Sequence, residues 1–144
     1  MGVIDSLLQD VPLPRMARVR QVFADNAIAD VEAALRAEFS QPAIEALIKP
    51  GASVAVGVGS RGIAELPLLA RTVVDELKRR GAHPFIVPAM GSHGGATGEG
   101  QAALLAALGV TEESVGCPIR SSMETVEFGR LPNGLAVLMD VEAM

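Results

Sequence analysis

Aromatic side chains are nearly missing from this chain, which has four Phe, no Trp and no Tyr in 144 residues. Its core must therefore be aliphatic. An apolar fraction of 49%, mostly Ala, Val and Leu, suits a buried parallel sheet covered by Ala- and Leu-rich helices. Cysteine occurs once, as Cys117, which excludes an internal disulfide and any cysteine-based zinc site and fits a reducing compartment. No apolar run approaches the roughly 18 residues of a membrane span, and the N-terminus lacks a basic region followed by an apolar core and a cleavage site. The expected location is the cytoplasm, with no membrane partner. A basic stripe is also absent, because twelve Lys and Arg are scattered among seventeen Asp and Glu, for a net charge of -5. Nothing here offers a phosphate backbone a binding surface, so nucleic acid is not an expected partner.

What is present is a length suited to one domain with a real core. Val3 to Val11 reads as a short helix stopped by Pro12 and Pro14, and Met16 to Phe23, alternating apolar and basic residues, reads as a strand. Val31, Ala34, Leu35 and Phe39 recur at helical spacing between Ala29 and about Ser40. A further helical turn runs from Pro42 to Ile48 and ends at Pro50-Gly51.

The clearest grammar follows. Ser53 to Val58 is a short apolar strand, and a helix runs from about Ala64 to Arg80 with Leu66, Leu69, Ala70, Val73 and Leu77 as its buried stripe. Asp75 with Arg79, and Glu76 with Arg80, are spaced as i,i+4 ion pairs on the opposite side, and Gly81 is placed to cap the C-terminus. His83 to Met90 is a second strand and Thr97 to Leu108 a second long helix, closed by Gly109. Thr111 with Glu112 and Glu113 starts a short helical turn, and Pro132-Asn133-Gly134 marks a hairpin between Thr125–Gly129 and Leu135–Met139. Strand, helix, strand, helix in this order implies a parallel crossover that brings both post-strand turns to one edge of the sheet. The expected fold is α/β: a mostly parallel sheet with helices on both faces, Rossmann-like and three-layered, plus a C-terminal β-hairpin. The hairpin runs straight into Asp140 to Met144, which reads as the truncated N-terminal domain of a longer enzyme.

Gly57-Val58-Gly59-Ser60-Arg61-Gly62 is a G-x-G-x-x-G sequence between strand and helix, a context that lets backbone amides approach a phosphate. A nicotinamide dinucleotide site also wants an acid at the end of the next strand, roughly 20 residues on, to hold the ribose. That strand ends Pro88-Ala89-Met90. A tight turn that merely needs small residues fits the glycines equally, whereas Arg61 suits a carboxylate or phosphate clamp.

Gly91-Ser92-His93-Gly94-Gly95 follows the second strand. Its glycines leave space beside an imidazole that can exchange protons near neutral pH, which is what a general base needs. The alternative is a histidine that shapes its own loop. His93 has no partner at metal-ligand spacing, so no metal ligand is assigned. Ser60 and Ser92 can both face His93, but no acid is placed to orient the ring for nucleophilic serine chemistry. His83 precedes its strand and belongs at the opposite end.

Val58 to Gly62, Pro88 to Gln101 and Cys117 to Glu124 together make the stretch Ser53–Met139 resemble the nickel-dependent lactate racemase family. The resemblance implies a nickel pincer nucleotide, a pyridinium bisthiocarboxylate mononucleotide holding nickel and tethered to a lysine. It implies hydride transfer from Cα of a 2-hydroxy acid while a histidine takes the hydroxyl proton. By resemblance, His93 is one of two acid/base histidines, and Gly59, Ser60, Arg61, Gly62, Ser92 and Gly94 line the cofactor and substrate site. The family's first turn is acidic and threonine-containing, unlike Gly57-Val58-Gly59-Ser60, so a larger or sugar-like hydroxy acid fits as well as lactate. Its second histidine, tethering lysine and nickel-binding histidine have no counterparts within these residues, and the remaining C-terminal part of the enzyme would supply them. The expected function is the N-terminal segment of a 2-hydroxy-acid racemase or epimerase, inactive alone. A noncatalytic module binding small anions or nucleotides, and a nicotinamide-dependent oxidoreductase, are the alternatives.

Overall fold

The computed structural model describes residues 2–12, 15–24 and 26–144. Its helices in chain order are α1 (Val3–Leu8), α2 (Val31–Phe39), α3 (Pro42–Glu45), α4 (Leu66–Arg79), α5 (Gly98–Ala107) and α6 (Glu112–Val115). Its strands are β1 (Ser53–Val58), β2 (His83–Pro88), β3 (Thr125–Arg130) and β4 (Ala136–Asp140).

β1 and β2 pair in parallel, from Ser53 opposite His83 to Val58 opposite Pro88. The chain after α6 extends this pair by a parallel bridge of Ile86 with Ile119, in which Ile86 donates to the Pro118 carbonyl and Arg120 to the Ile86 carbonyl. Pro84, Phe85 and Ile86 are all buried, the unbroken apolar pattern of an inner parallel strand. β1 differs, because Val54, Val56 and Val58 turn inward while Ser53, Ala55 and Gly57 are exposed. The chain is thus mixed α/β, with a small parallel sheet and, separately, the antiparallel β3–β4 hairpin. The Asn133-Gly134 turn closes that hairpin, with Gly134 donating to the Leu131 carbonyl and Leu131 to the Leu135 carbonyl.

The aliphatic core joins Val58 of β1, Ala70 and Val74 of α4, Ile86 of β2, Met90, Leu105 of α5, and Val110, Val115 and Cys117. Burial pushes the Cys117 thiol above its ordinary range, with nearby Lys78 only partly opposing it. α4 and α5 end alike. After α4, Gly81 adopts φ +80 and donates to the Lys78 carbonyl while Ala82 donates to the Leu77 carbonyl. After α5, Gly109 and Val110 repeat the pattern on Ala106 and Leu105. This double bond after a left-handed residue needs glycine at the turn, and it points each following segment back into the core.

Several expectations are corrected. Met16 to Phe23 forms no strand and stays exposed, with Met16 and Val19 almost wholly so. Alternation alone makes no strand without a paired edge to bury one face. α1 ends at Leu8 and not near Val11, and Pro14 lies outside the described residues. α3 stops at Glu45, short of Ile48. On α4, Val74 takes the fully buried position expected of Val73.

The charged side of α4 is not a solvated face, because α2 packs on it. Glu76 has no side-chain exposure and accepts from Arg36 of α2 at 2.6 Å, from Arg80 and from Arg79. The Glu76–Arg80 pair is as expected, whereas Asp75 pairs with Arg71 at 2.9 Å and not with Arg79. Burial pushes the Glu76 carboxyl upward, but hydrogen bonds from Arg80, Arg79 and Arg36 outweigh it and hold the group below its ordinary value.

Among the described residues, no helix is long and apolar enough to cross a membrane.

Candidate functional site

The parallel pairing of β1 and β2 delivers the glycine turn and the histidine turn to the same sheet edge, as the strand order implies. Ala89 donates to the Val58 carbonyl at 2.9 Å, so the two chains leave the sheet side by side. Beyond that point they frame an open cleft of about 470 Å³, lined by Gly59, Ser60, Arg61, Ile63, Ala89, Met90, Gly91, Ser92 and His93.

His93 is engaged at both ring nitrogens. Ser60 Oγ lies 2.6 Å from Nδ1, and Arg61 approaches Nε2 with its Nε at 3.0 Å and its Nη2 at 2.7 Å. A guanidinium has only donors, so Nε2 must carry the lone pair. The ring is therefore neutral, with its proton on Nδ1 donated to the Ser60 hydroxyl. This arrangement is the reverse of an activated serine, in which the imidazole lone pair would face Oγ. Ser60 serves instead to fix the tautomer, leaving Nε2 as the basic atom.

The histidine loop is held from behind. His93 precedes a short 3₁₀ turn over Gly94–Ala96, in which Ala96 is left-handed at φ +54. Thr97 caps α5 through its hydroxyl, which accepts from Gly100 N at 3.0 Å. Gln101, buried one turn into α5, donates to the Gly91 carbonyl at 2.7 Å. Gln101 is thus a positioning residue to which the sequence pattern assigned no role. A polar side chain on the buried face of an otherwise Ala/Leu helix is the signal that marks it.

Of the residues assigned to the site, Gly59, Ser60, Arg61, Ser92 and His93 meet in this cleft. Ser92 lines it beside His93, whose ring is held by Ser60 and Arg61. Gly62 lines a neighbouring hollow with Glu65, Leu66 and Leu108. Gly94 faces the backbone of Gly100, so its lack of a side chain serves packing. His83, at the far end of β2, lines a separate depression with Cys117 and Arg120.

The electrostatics of the cleft are simple. Arg36, Arg71, Arg79, Arg80, Arg120 and Arg130 each pair with a carboxylate. Arg61 faces a neutral imidazole, and among the described residues no Asp or Glu lines the cleft. Nor, among them, is any group of three or more His, Cys, Asp or Glu arranged to hold a metal ion. A scan against models of protein families, a search of curated proteins and a search of solved structures each return no match.

Proposed function

We propose that this cleft binds the carboxylate of a 2-hydroxy acid on Arg61 and takes the substrate's hydroxyl proton on His93 Nε2. In this reading, residues 1–144 are the N-terminal part of a racemase or epimerase of the nickel-dependent lactate racemase type. The observation that carries it is the meeting, in a glycine-lined cleft, of a histidine held by Ser60 at Nδ1 and an arginine at its Nε2 that has no carboxylate partner among the described residues. A cation and a base a few ångströms apart match the carboxylate and the adjacent hydroxyl that an α-hydroxy acid presents.

The donor set here fits the organic part of a nickel pincer nucleotide better than a bare ion. Gly59, Ser60, Arg61 and Ser92 offer small walls, a hydroxyl and a cation, while the described residues offer no metal-binding cluster. Nickel would have to arrive already held by its own ligand. When bound, that group supplies the hydride acceptor; this chain positions the acid and moves the hydroxyl proton. The β1–β2 pair would then be the start of a wider, Rossmann-like three-layered sheet in a cytoplasmic enzyme, with the exposed side of β1 covered by further structure.

The test is polarimetric. A single enantiomer of lactate, or of a larger 2-hydroxy acid, should lose optical rotation with the full-length, nickel-loaded enzyme, and His93→Ala in it should slow that loss by about 10²- to 10⁴-fold. Unchanged turnover in His93→Ala would defeat the assignment. The same lone guanidinium favours one other reading, a noncatalytic anion-binding module, for which anions bind, nothing turns over and His93→Ala leaves affinity unaltered. A nicotinamide-dependent oxidoreductase has less support, because the end of β2 lacks the ribose-binding acid.

A further inference from the structure

Arg61 directs two N–H groups at a single acceptor, His93 Nε2. That atom has one lone pair, so the two bonds compete for it, and both join a cation to a neutral group. A carboxylate offers two oxygens to the same planar fork and carries the opposite charge, so each N–H gains its own acceptor in a bidentate ion pair. Among the described residues, no Asp or Glu lines the cleft to occupy the guanidinium otherwise. While Arg61 stays where it is, the one basic atom of the ring is blocked.

We propose that Arg61 is a ligand-operated latch on His93: a carboxylate entering the cleft draws the guanidinium off Nε2 and so frees the base only when a substrate is present. The latch rests on the reading of His93 as the acid/base residue, and it specifies the substrate as an anion bearing its hydroxyl beside the carboxylate. Ser60 stays on Nδ1 throughout, so the ring keeps its tautomer as it is released, and the lone pair that emerges already points into the cleft. The side chains that hydrogen-bond the His93 ring are those of Ser60 and Arg61. Neutral diols and alcohols, which cannot compete for the guanidinium, leave the latch shut.

The experiment is a titration of the full chain with glycolate, the smallest 2-hydroxy acid, at fixed pH, following the His93 ring nitrogens by long-range ¹H–¹⁵N correlation. Saturable movement of the Nε2 signal with little change at Nδ1 is expected, with no response to ethylene glycol. Arg61→Gln should show the freed Nε2 position before any ligand is added and should bind glycolate about tenfold more weakly or worse. Arg61→Lys, which keeps the charge but loses the fork, should fall between them. Glycolate binding seen at the Gly59 and Ser92 amides with an unmoved Nε2 would overturn the latch, as would a wild-type Nε2 signal in Arg61→Gln or the absence of any saturable glycolate binding. Turnover is not read in this titration. A working latch without racemisation would therefore sink only the enzyme assignment, and racemisation with a static Nε2 only the latch.

Discussion

Gly94 and Gly100 meet backbone to backbone, so closely that a Cβ on Gly100 would lie 1.8 Å from the Gly94 carbonyl oxygen and one on Gly94 2.4 Å from the Gly100 carbonyl carbon. The histidine loop is thereby seated on the first turn of α5, and His93 takes its position from that seat. Neither backbone can be displaced cheaply. Gly100→Ala is expected to cost about 1–3 kcal/mol, as overpacking does in a close-fitted site. It should also shift the His93 ring resonances, whereas Ala102→Gly, farther along the same helix, should lower stability without moving them. Urea denaturation paired with NMR of the ring protons checks both.

Glu76 binds α2 to α4 by accepting from Arg36, Arg79 and Arg80 while fully buried. Breaking such a network by removing its buried anion costs about 3–5 kcal/mol when the remaining charges are buried. Arg36 and Arg79 keep substantial exposure, so Glu76→Gln should cost less than that, about 2–3 kcal/mol.

The same carboxylate sets an acid dependence. Its folded value is held below the ordinary 4.5, so as pH falls the unfolded chain takes up the proton first. The stabilisation from Glu76 is complete above that ordinary value and drains away as the pH passes down through the folded one. Urea midpoints measured from about pH 6 down to pH 3 should therefore show the gap between wild type and Glu76→Gln narrowing in acid. A gap that stays constant would mean that Glu76 is not ionised in the fold.

Cys117 is buried and its thiol is pushed upward by that burial, so little thiolate is present near neutral pH. Native protein should resist iodoacetamide, and denaturant should expose the thiol to complete alkylation, as read by intact mass. Fast alkylation of the native state would show that the core around Val110 and Val115 opens.

Residues 53–116 were legible because each element carries its own local signals. Helical spacing, the glycines after α4 and α5, and Thr111 with Glu112 and Glu113 all act within a few residues, and the structure has α4, β2, α5 and α6 where those signals put them. The parallel order then brought Ser60 and Arg61 to His93 without any further information. What failed was whatever depends on a distant partner. Met16 to Phe23 alternates like a strand, but pairing needs an edge that spacing does not encode. Glu76 looked like half of a surface pair, since only the arrival of Arg36 from α2, at a separation of 40 residues, makes its side of α4 an interior one. Gly94 read as room for a ligand because the closeness of Gly100 is a property of the folded loop, and Gln101 was passed over for the same reason.

The most direct measurement of the central claim is to incubate one enantiomer of a 2-hydroxy acid with the native nickel-loaded protein in D₂O and follow both stereochemistry and deuterium at Cα. If His93 handles only the hydroxyl proton, the stereocentre scrambles while Cα keeps its original hydrogen, and His93→Ala stops the scrambling. Racemisation with solvent deuterium entering Cα, or no racemisation by protein that carries its nickel group, would contradict the roles proposed for His93 and Arg61.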